Sequence, residues 1–317
     1  MAIFYTRKDY ESTGFDLIIC FMKRAILVLI ILTLGVTLPP LYSQWAESQR
    51  RKQIETVKQQ ARPVSGDRLE TVLSALESGA PPSVVVLYTG GTRSHLEPCG
   101  CYQEQSGGLP RRAYVVEQFR KHGFPTLLVD AGNIFAGDAE IDARRCETNI
   151  KALAAMGYSA VALSDSDLAY DDVYLSRQRA VATFPFLAPD ARRADFTEPF
   201  VIAQAGRHSV AFVVGEVSEE VASQTDIILS LGDPKNPQYI DVVISPDEIA
   251  GVVSEDGTLS VGCKPEGKTL GVLAFWMDTS GKLTRHYTAE LALTGDVGSD
   301  RTCVHRLLST ENCCSWT

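Results

Sequence analysis

The feature that most constrains the fold of this chain is an alternation of apolar runs and amphipathic segments between residues 83 and 187. The apolar runs predict buried strands at Val84–Tyr88, Thr126–Asp130, Ser159–Leu163 and Phe184–Leu187. The amphipathic segments predict helices at Arg111–His122, Glu147–Met156 and Asp171–Val181. Strands and helices that alternate at this spacing are typical of βαβ units, and therefore of a largely parallel sheet.

The second half of the chain predicts mainly strands. They fall at Phe200–Ala203, Ser209–Val214, Asp226–Ser230, Asp241–Ile244, Leu259–Val261, Thr269–Met277 and Leu283–Glu290. Asp256-Gly257 and Ser280-Gly281 supply turns of the hairpin type. We therefore expect a second, mixed sheet stacked on the first, with helices outside, in one α/β domain over residues 83–290.

The N-terminal region predicts a membrane-targeting segment at residues 22–45. Two cations precede an apolar run from Ala25 to Val36, and no further charge occurs before Glu47. A run this short fits the core of a signal peptide, whereas the longer uncharged span would suffice for a signal anchor. Because no small-x-small cleavage site follows, we favour the anchor. The positive-inside rule then puts the rest of the chain outside the cytoplasm, tethered to the membrane.

Three further segments flank these two regions. Residues 1–21 form an uncertain leader, and residues 46–82 form a polar helical stalk or linker that includes an amphipathic helix at Asp67–Ser78. Residues 291–317 form a tail with three cysteines.

Composition limits the classes of partner. The net charge of −9 over 317 residues, with no basic block, argues against a nucleic-acid partner. Arg111 and Arg112 are candidates for local anion binding, but otherwise we expect them to open a helix and face solvent. Gly107 and Gly108 before them predict a tight turn.

A compact group of reactive side chains follows the first predicted strand. The stretch His95-Leu-Glu-Pro-Cys-Gly-Cys101 holds a histidine, a glutamate and two cysteines within seven residues. Loops at the carboxyl ends of buried strands are where α/β proteins usually place their sites. The stretch therefore predicts the location of a site without defining its chemistry.

Three interpretations of Cys99 and Cys101 remain open. Outside the cytoplasm they can form structural disulfides, with Cys146 and Cys263 as candidate partners. They can also bind a single soft or borderline metal ion, such as Zn²⁺ or Cu⁺, together with His95 and Cys263. As a third possibility they act as a redox-active dithiol with an extracytoplasmic redox partner. The sequence has no Cys-x-x-Cys-His motif, so it predicts no covalently attached haem.

Several motifs follow one another in a specific order along the chain. They are Gly107-Gly-Leu-Pro-Arg-Arg112, then Leu127-Leu-Val-Asp-Ala-Gly-Asn133, then Ala154-Ala-Met-Gly-Tyr-Ser-Ala-Val-Ala-Leu-Ser164. In this order the chain resembles the calcineurin-like metallophosphoesterases, in their 5′-nucleotidase branch, and among them a subgroup of exported proteins with Pro-Cys-Gly-Cys. The resemblance implies a four-layer α/β/β/α sandwich, with a two-metal site formed by loops at the strand ends.

The positions that match the family's metal ligands are almost all changed. Gly91 and Arg93 stand where the resemblance implies an Asp-x-His motif. Asn133 replaces the carboxylate that bridges the two metals, and a neutral amide is a poor bridge between two dications. In the third motif, Asp165 replaces the ligand amide and Ser166 replaces a histidine that aids catalysis.

The family's later ligands are histidines, and this chain has none between His208 and His286. We therefore predict that the fold is kept while the two-metal site is lost, which leaves a degenerate, non-catalytic binding or accessory protein. The vestiges of the former site would be Asn133, Asp165, Ser166 and Asp167.

Two alternative functions stay open. One is a phosphoester hydrolase with a rebuilt single-metal site that uses His95, Asn133, Asp165 and Asp167. The other is a metal or redox carrier based on the cysteines.

The three aspartates at these strand ends also have predicted structural roles. Asp165 and Asp167 would cap the helix that follows their strand, or would bind a single cation together. Asp130 would brace its loop by accepting backbone N–H bonds.

Overall fold

The structure, a computed structural model, describes residues 64–99, 105–137, 140–189, 196–249, 252–253 and 258–298. The predicted leader, the membrane-targeting segment at residues 22–45, Cys101 and most of the predicted tail lie outside the described residues. Among the helices of the described part, none has the length and apolar character needed to cross a membrane.

The first sheet has eight strands. They are β1 Val64–Asp67, β2 Val84–Thr89, β3 Thr126–Asp130, β4 Ala160–Ala162, β5 Phe186–Leu187, β6 Thr197–Glu198, β13 Thr269–Met277 and β14 Leu283–Ala292. Their order across the sheet is β1-β14-β13-β2-β3-β4-β5-β6. The pairs from β2 to β6 are all parallel, as the alternation of strands and helices predicted.

The second sheet has six strands. They are β7 Phe200–Ala205, β8 His208–Val213, β9 Ile227–Leu231, β10 Val242–Ser245, β11 Val252–Val253 and β12 Leu259–Gly262. Their order is β11-β12-β10-β9-β8-β7, with four parallel inner strands and an antiparallel strand at each edge. The sheet is therefore mixed, as predicted.

The helices lie outside the two sheets. They are α1 Leu69–Glu77, α2 Leu109–Lys121, α3 Glu140–Met156, α4 Asp165–Leu168, α5 Asp172–Val181 and α6 Glu219–Gln224, with a 3₁₀ turn at Pro237–Tyr239. Apolar side chains of α1, α2 and α3 cover the outer face of the first sheet. A smaller apolar cluster that includes α6 covers the second sheet.

Strand β2 shows how the layers are held together. Its side chains alternate between two cores: Val84 and Val86 pack with Phe212 between the sheets, whereas Val85 and Leu87 pack beneath the helices. Every residue of β2 is buried, and a fully buried Val or Leu side chain contributes about 1.5–3 kcal/mol. The predicted four-layer α/β/β/α sandwich is confirmed.

The ends of the domain differ from the predictions. Strands β13 and β14 return to the first sheet, where β13 pairs with β2, although we expected them in the second. All nine residues of β13 are buried, and a continuous apolar run signals burial without identifying its neighbours. At the other end, β1 pairs with β14 and α1 buries its apolar face. The domain therefore begins before the predicted boundary at Ser83.

The strand ends define one edge of the domain. Because β2, β3 and β4 are parallel neighbours, their carboxyl ends lie side by side. Main-chain hydrogen bonds continue this pairing into the loops, from Gly91 N–H to the Gly132 carbonyl at 2.8 Å and from Arg93 N–H to the Asn133 carbonyl at 3.0 Å. We call this edge the rim; it comprises residues 90–99, 131–137, 163–167, 245–247 and 263–268.

Candidate functional site

The loop after β2 packs directly against the second sheet at two glycines. A Cβ atom added at Gly90 would lie 2.9 Å from the Cα of Pro246, and one added at Gly91 would lie 2.9 Å from the carbonyl oxygen of Pro246. Gly91 also has a φ of +59°, which residues with side chains rarely adopt. The backbone of the loop after β10 and the side chain of Pro265 therefore fill the space that a side chain at position 91 would need.

Beneath the rim, Asp130 is buried in a hydrogen-bonded group at the end of β3. Its carboxylate accepts from the Thr89 hydroxyl at 2.6 Å and from the Gly132 N–H at 2.9 Å. The Thr89 hydroxyl also lies 3.1 Å from the Tyr158 hydroxyl. Burial raises the pKa of Asp130 to about 6, although these hydrogen bonds and the charge of Arg112 lower it. The prediction that Asp130 braces its loop is confirmed.

Arg112 is a correction to the sequence analysis, because its side chain is 0% exposed rather than solvated. It lies on one face of α2 with Leu109, Ala113 and Val116, which are all buried. Its charge lowers the pKa of Asp130, but none of its three buried guanidinium nitrogens has a hydrogen-bond partner among the described residues. The sequence contains a signal for this burial, because position 112 falls in the i, i+3, i+4, i+7 series of the apolar stripe.

Asp167 fixes the loop that follows β3. It is 1% exposed, and its carboxylate accepts hydrogen bonds from Ile134 N–H at 3.3 Å and Phe135 N–H at 3.0 Å. It also accepts from the backbone and hydroxyl of Ser164, at 3.0 and 2.7 Å, within a capping box. Asp167 therefore takes part in capping α4, as predicted, and its hydrogen bonds to Ile134 and Phe135 also brace the loop after β3. Asp165, by contrast, is exposed in the first turn of α4.

Asn133 and Ser166 lie together on the rim. The Ser166 hydroxyl donates to the side-chain oxygen of Asn133 at 2.9 Å. Of the residues that the structure describes, only four other than glycine have a positive φ: Arg93, Ser94, Asn133 and Glu266. All four lie on the rim, and such sparsely populated conformations concentrate at functional sites. The sparsely populated backbone conformations of the described residues other than glycine are therefore concentrated on the rim.

A second group of side chains forms where the Cys-Gly-Cys loop meets the turn before β13. One ligand atom from each of His95, Cys99 and Glu266 lies within 4.8 Å of the other two, and all three residues are half-buried. The Cys99 thiol donates to a carboxylate oxygen of Glu266 at 3.3 Å, and the Lys268 ammonium lies 2.6 Å from the same oxygen. We call His95, Cys99 and Glu266 the thiol cluster. Sequence analysis missed Glu266, which lies 167 residues from Cys99 in the chain.

The environment sets the protonation of the thiol cluster. Burial lowers the pKa of His95, and therefore favours a neutral imidazole with a free lone pair. Burial and the hydrogen bond to Glu266 raise the pKa of Cys99, so the sulfur carries its proton near neutral pH. The hydrogen bond from Lys268 lowers the pKa of Glu266, which is therefore an anion.

The other described cysteines lie apart from the thiol cluster. Cys263 is 1% exposed and donates to the Tyr88 carbonyl at 3.3 Å. Cys146 is also buried, and its sulfur accepts from the Ser94 hydroxyl at 3.0 Å. Cys99, Cys146 and Cys263 are all free thiols in the structure. The predicted disulfides between Cys99 and these two residues are therefore not formed, and Cys263 is not a member of the thiol cluster.

A cleft of about 760 Å³ lies beside the thiol cluster. Lys268, which contacts Glu266, is one of the residues that line this cleft. It is lined by three cations, Arg111, Lys264 and Lys268, and by one acid, Asp296. The Arg111 guanidinium is held in place, because it donates to the Leu293 carbonyl at 3.1 Å. A local excess of positive charge attracts anions even in an acidic chain. This charge is consistent with the prediction of anion binding at Arg111, which stays a prediction.

The fold defines a class of protein: the chain has the calcineurin-like metallophosphoesterase fold in its 5′-nucleotidase-like form, which is a hydrolase fold. The 5′-nucleotidase precursor from Thermus thermophilus superposes with a TM-score of 0.57 at 17% identity, over 71% of this chain and 57% of that chain. The calcineurin-like phosphoesterase YfkN from Bacillus subtilis superposes with a TM-score of 0.51 at 19% identity, over 71% of this chain and 95% of that chain.

A sequence relative agrees with the structural ones. The 5′-nucleotidase of Vibrio cholerae serotype O1 is 27% identical over 164 residues, which are 49% of this chain and 28% of that protein. The match therefore spans less than a third of the length of the curated relative. No family model matches the chain.

The rim does not fit the two metal ions that the fold implies. At position 91, which matches the first carboxylate ligand, a side chain would place its Cβ 2.9 Å from the Pro246 carbonyl oxygen, closer than the neighbouring backbone allows without a shift. The oxygen of Asn133, in place of the bridging carboxylate, accepts a hydrogen bond from Ser166. Arg93 puts a cation at the position of a ligand histidine and is exposed. Two-metal hydrolysis needs ligands that hold both ions in a fixed geometry, and these residues do not supply them.

Proposed function

We propose that this chain is an exported, membrane-tethered protein that uses the metallophosphoesterase fold for binding or for an accessory role, without two-metal hydrolysis. One observation carries the proposal. The position that matches the first metal ligand is Gly91, where an added Cβ would lie 2.9 Å from the Pro246 carbonyl oxygen and 3.3 Å from the Pro265 Cβ, so a side chain there requires its neighbours to shift. Packing therefore opposes a ligand side chain at this position, because the substitution alone would not suffice without a movement of the loop after β10.

The charge distribution on the rim supports the same conclusion. A pair of divalent ions needs several anionic ligands around it. Two carboxylates at this edge, Asp130 beneath the rim and Asp167 on it, are buried and engaged elsewhere, since they accept hydrogen bonds from the loops themselves. Of the replaced ligand positions named above, Asp165 alone offers an exposed carboxylate.

Export and tethering rest on the sequence alone. The apolar run Ala25–Val36 with its preceding cations is the pattern of a signal anchor. Fusing a reporter after residue 317 and measuring protease protection in intact cells would test this. Protection of the reporter on the cytoplasmic side would contradict it.

A hydrolase with a rebuilt site is the second candidate, favoured by the similarity to 5′-nucleotidases. The structure reduces the number of residues that could bind a metal ion in such a rebuilt site. Asp167 is buried with four hydrogen bonds and cannot turn to a metal without releasing the loop at Ile134. His95, Asn133 and Asp165 would remain as possible ligands.

Hydrolysis assays on the full-length chain separate the two candidates. AMP, p-nitrophenyl phosphate and bis(p-nitrophenyl) phosphate would be assayed with Mn²⁺, Co²⁺ or Zn²⁺ present. Our proposal expects rates equal to those of the metal ion alone, in the wild type and in the Asn133→Ala, Asp165→Ala double variant. Glu70→Ala, which changes an exposed acid on α1, is the matched control. A metal-dependent rate that falls about tenfold or more in the double variant, and not in the control, would establish the hydrolase instead.

A further inference from the structure

The thiol cluster brings three kinds of metal-binding atom together. His95 offers an imidazole nitrogen, Cys99 a sulfur and Glu266 a carboxylate oxygen, and these atoms lie within 4.8 Å of one another. Nitrogen, sulfur and oxygen in one group suit ions of borderline softness, of which Zn²⁺ is the commonest in proteins. Hard cations such as Mg²⁺ and Ca²⁺ prefer oxygen atoms alone.

The spacing suits tetrahedral coordination. With a Zn–S distance of about 2.3 Å and a Zn–O distance of about 2.0 Å, tetrahedral geometry separates the sulfur and oxygen ligands by about 3.5 Å. The Cys99 sulfur lies 3.3 Å from the Glu266 oxygen, and a hydrogen bond with the thiol proton holds them there. An ion that replaces this proton therefore needs little movement of either side chain.

Separate main-chain contacts position the three residues. Cys99 exchanges two backbone hydrogen bonds with Ser106, at 2.9 and 3.0 Å, in an isolated antiparallel bridge. The Glu266 N–H donates to the Gly91 carbonyl at 2.8 Å, and the His95 N–H donates to the Thr92 carbonyl at 3.0 Å. Because the backbone fixes each ligand before binding, little conformational entropy would be lost when an ion arrives.

We propose that His95, Cys99 and Glu266 bind one borderline divalent transition-metal ion, with Zn²⁺ as the representative, and leave a fourth coordination position for water or another ligand. The thiol releases its proton to solvent as the ion binds. Lys268 gives up its contact with Glu266 and keeps its other neighbours on the basic cleft. This site is distinct from the family's two-metal positions at residues 91, 93 and 133, so the proposal does not rest on the proposed function.

Cobalt provides a direct readout of the ligands. The full-length chain, with its thiols reduced and metal removed by chelation, would be titrated with Co²⁺ under anaerobic conditions. We expect one tightly bound Co²⁺ per chain, with near-ultraviolet sulfur-to-cobalt charge transfer and the strong visible absorption of tetrahedral Co²⁺. Both features should disappear when Zn²⁺ is added. Hydrolytic activity plays no part in this measurement.

Matched variants assign the ligands. Cys99→Ser should abolish the charge-transfer band, and His95→Ala and Glu266→Gln should each weaken Co²⁺ binding about tenfold or more. Cys263→Ser is the matched control, because a serine hydroxyl can still donate to the Tyr88 carbonyl as the thiol does. This control should bind Co²⁺ as the wild type does.

Three outcomes would overturn the proposal. They are a wild-type protein without the charge-transfer band, a band that survives in Cys99→Ser, and a band that is lost in Cys263→Ser while the fold is intact. Circular dichroism would establish that each variant is folded. If Cys99→Ser does not fold, Glu266→Gln decides alone, because unchanged Co²⁺ affinity in that folded variant excludes the site.

Discussion

Two carboxylates on the same edge of the molecule, Asp167 and Glu266, have opposite surroundings. Asp167 is 1% exposed and accepts four hydrogen bonds, two of them from the loop after β3. Glu266 is half-buried, and its partners are the thiol of Cys99 and the ammonium of Lys268. The first carboxylate is engaged by backbone groups that have no other acceptor, whereas the second is engaged by side chains that water can replace.

This difference separates structural carboxylates from potential ligands. Turning the Asp167 carboxylate away from its partners would leave backbone N–H groups without this acceptor, which costs about 1–3 kcal/mol for each group. The ion pair of Glu266 with Lys268 is partly exposed, and a pair that water reaches contributes about 1 kcal/mol or less, so Lys268 can return to water at low cost. A count of acidic residues on the rim would therefore overstate its capacity to bind metal. Four variants test which groups at this edge of the molecule are structural. They are given in order of decreasing expected change in the free energy of unfolding.

Asp167→Ala should have the largest effect. We expect the free energy of unfolding to fall by about 4 kcal/mol, because four hydrogen bonds to a buried acceptor are lost at once. Urea unfolding followed by circular dichroism measures this. Asp165→Ala is the control, because Asp165 is exposed in the same turn, and it should change stability by less than about 0.5 kcal/mol. Equal losses in both variants would erase the distinction between structural and free carboxylates.

Stability should also depend on the ionisation of Asp130. Its pKa is raised to about 6 in the fold from an ordinary value of 3.8. The folded state therefore holds a proton that the unfolded chain has lost between these values, so the contribution to stability falls as the pH rises from about 4 to about 6. A shift of this size corresponds to about 3 kcal/mol.

Unfolding measured from pH 4 to pH 8 in the wild type and in Asp130→Asn isolates this effect. The amide stays neutral at every pH, so the variant should gain stability relative to the wild type as the pH rises towards 6. Above about pH 7 the difference should be constant. A difference that does not vary with pH would mean that Asp130 has the same pKa in the folded and unfolded chains.

Gly91→Ala should destabilise the protein through a steric clash. The added Cβ would lie 2.9 Å from the Pro246 carbonyl oxygen, and we expect a loss of about 2 kcal/mol beyond the cost of the backbone conformation. Gly79→Ala is the matched control, because Gly79 also has a positive φ but has no atom within 4 Å of the added Cβ. The two variants would be compared by urea unfolding. Equal losses would show that the rim can move to admit a side chain, which would reopen the first ligand position.

Ser166→Ala should have the smallest effect. The hydroxyl donates to Asn133 at an exposed position, where a hydrogen bond competes with water. We expect a change in unfolding free energy of less than about 0.5 kcal/mol. A loss above about 1.5 kcal/mol would assign this pair a structural role like that of Asp167.

The sequence predicted the core of the fold because period and composition determine it. Strand β3 was predicted with its exact bounds, Thr126–Asp130, since an apolar run bounded by a turn and an aspartate has few alternatives. The start of α3 at Glu140 was missed by seven residues, because Glu140–Cys146 shows no clear apolar stripe. The short strand β6 was also missed, because its two residues, Thr197 and Glu198, leave no periodicity to detect.

The candidate site was predictable only in part. His95 and Cys99 lie six and ten positions beyond the end of β2 at Thr89, so the topology alone brought them to the rim. Glu266 reaches the same place from a turn 167 residues beyond Cys99. No local pattern encodes that approach, because it depends on β13 pairing with β2. The burial of Arg112 was missed for a different reason, since a charged side chain is normally assigned to solvent.

The main-chain hydrogen bonds between the rim loops bear on how such a protein could have diverged. The paths of residues 90–93 and 131–133 are held by backbone groups, which every amino acid except proline supplies. Apart from Gly90, Gly91 and Gly132, where close neighbours or a positive φ favour glycine, substitutions in these loops can therefore accumulate while the chain still follows the same course. A fold held in this way can lose one activity and gain another through successive substitutions, while every intermediate sequence still folds.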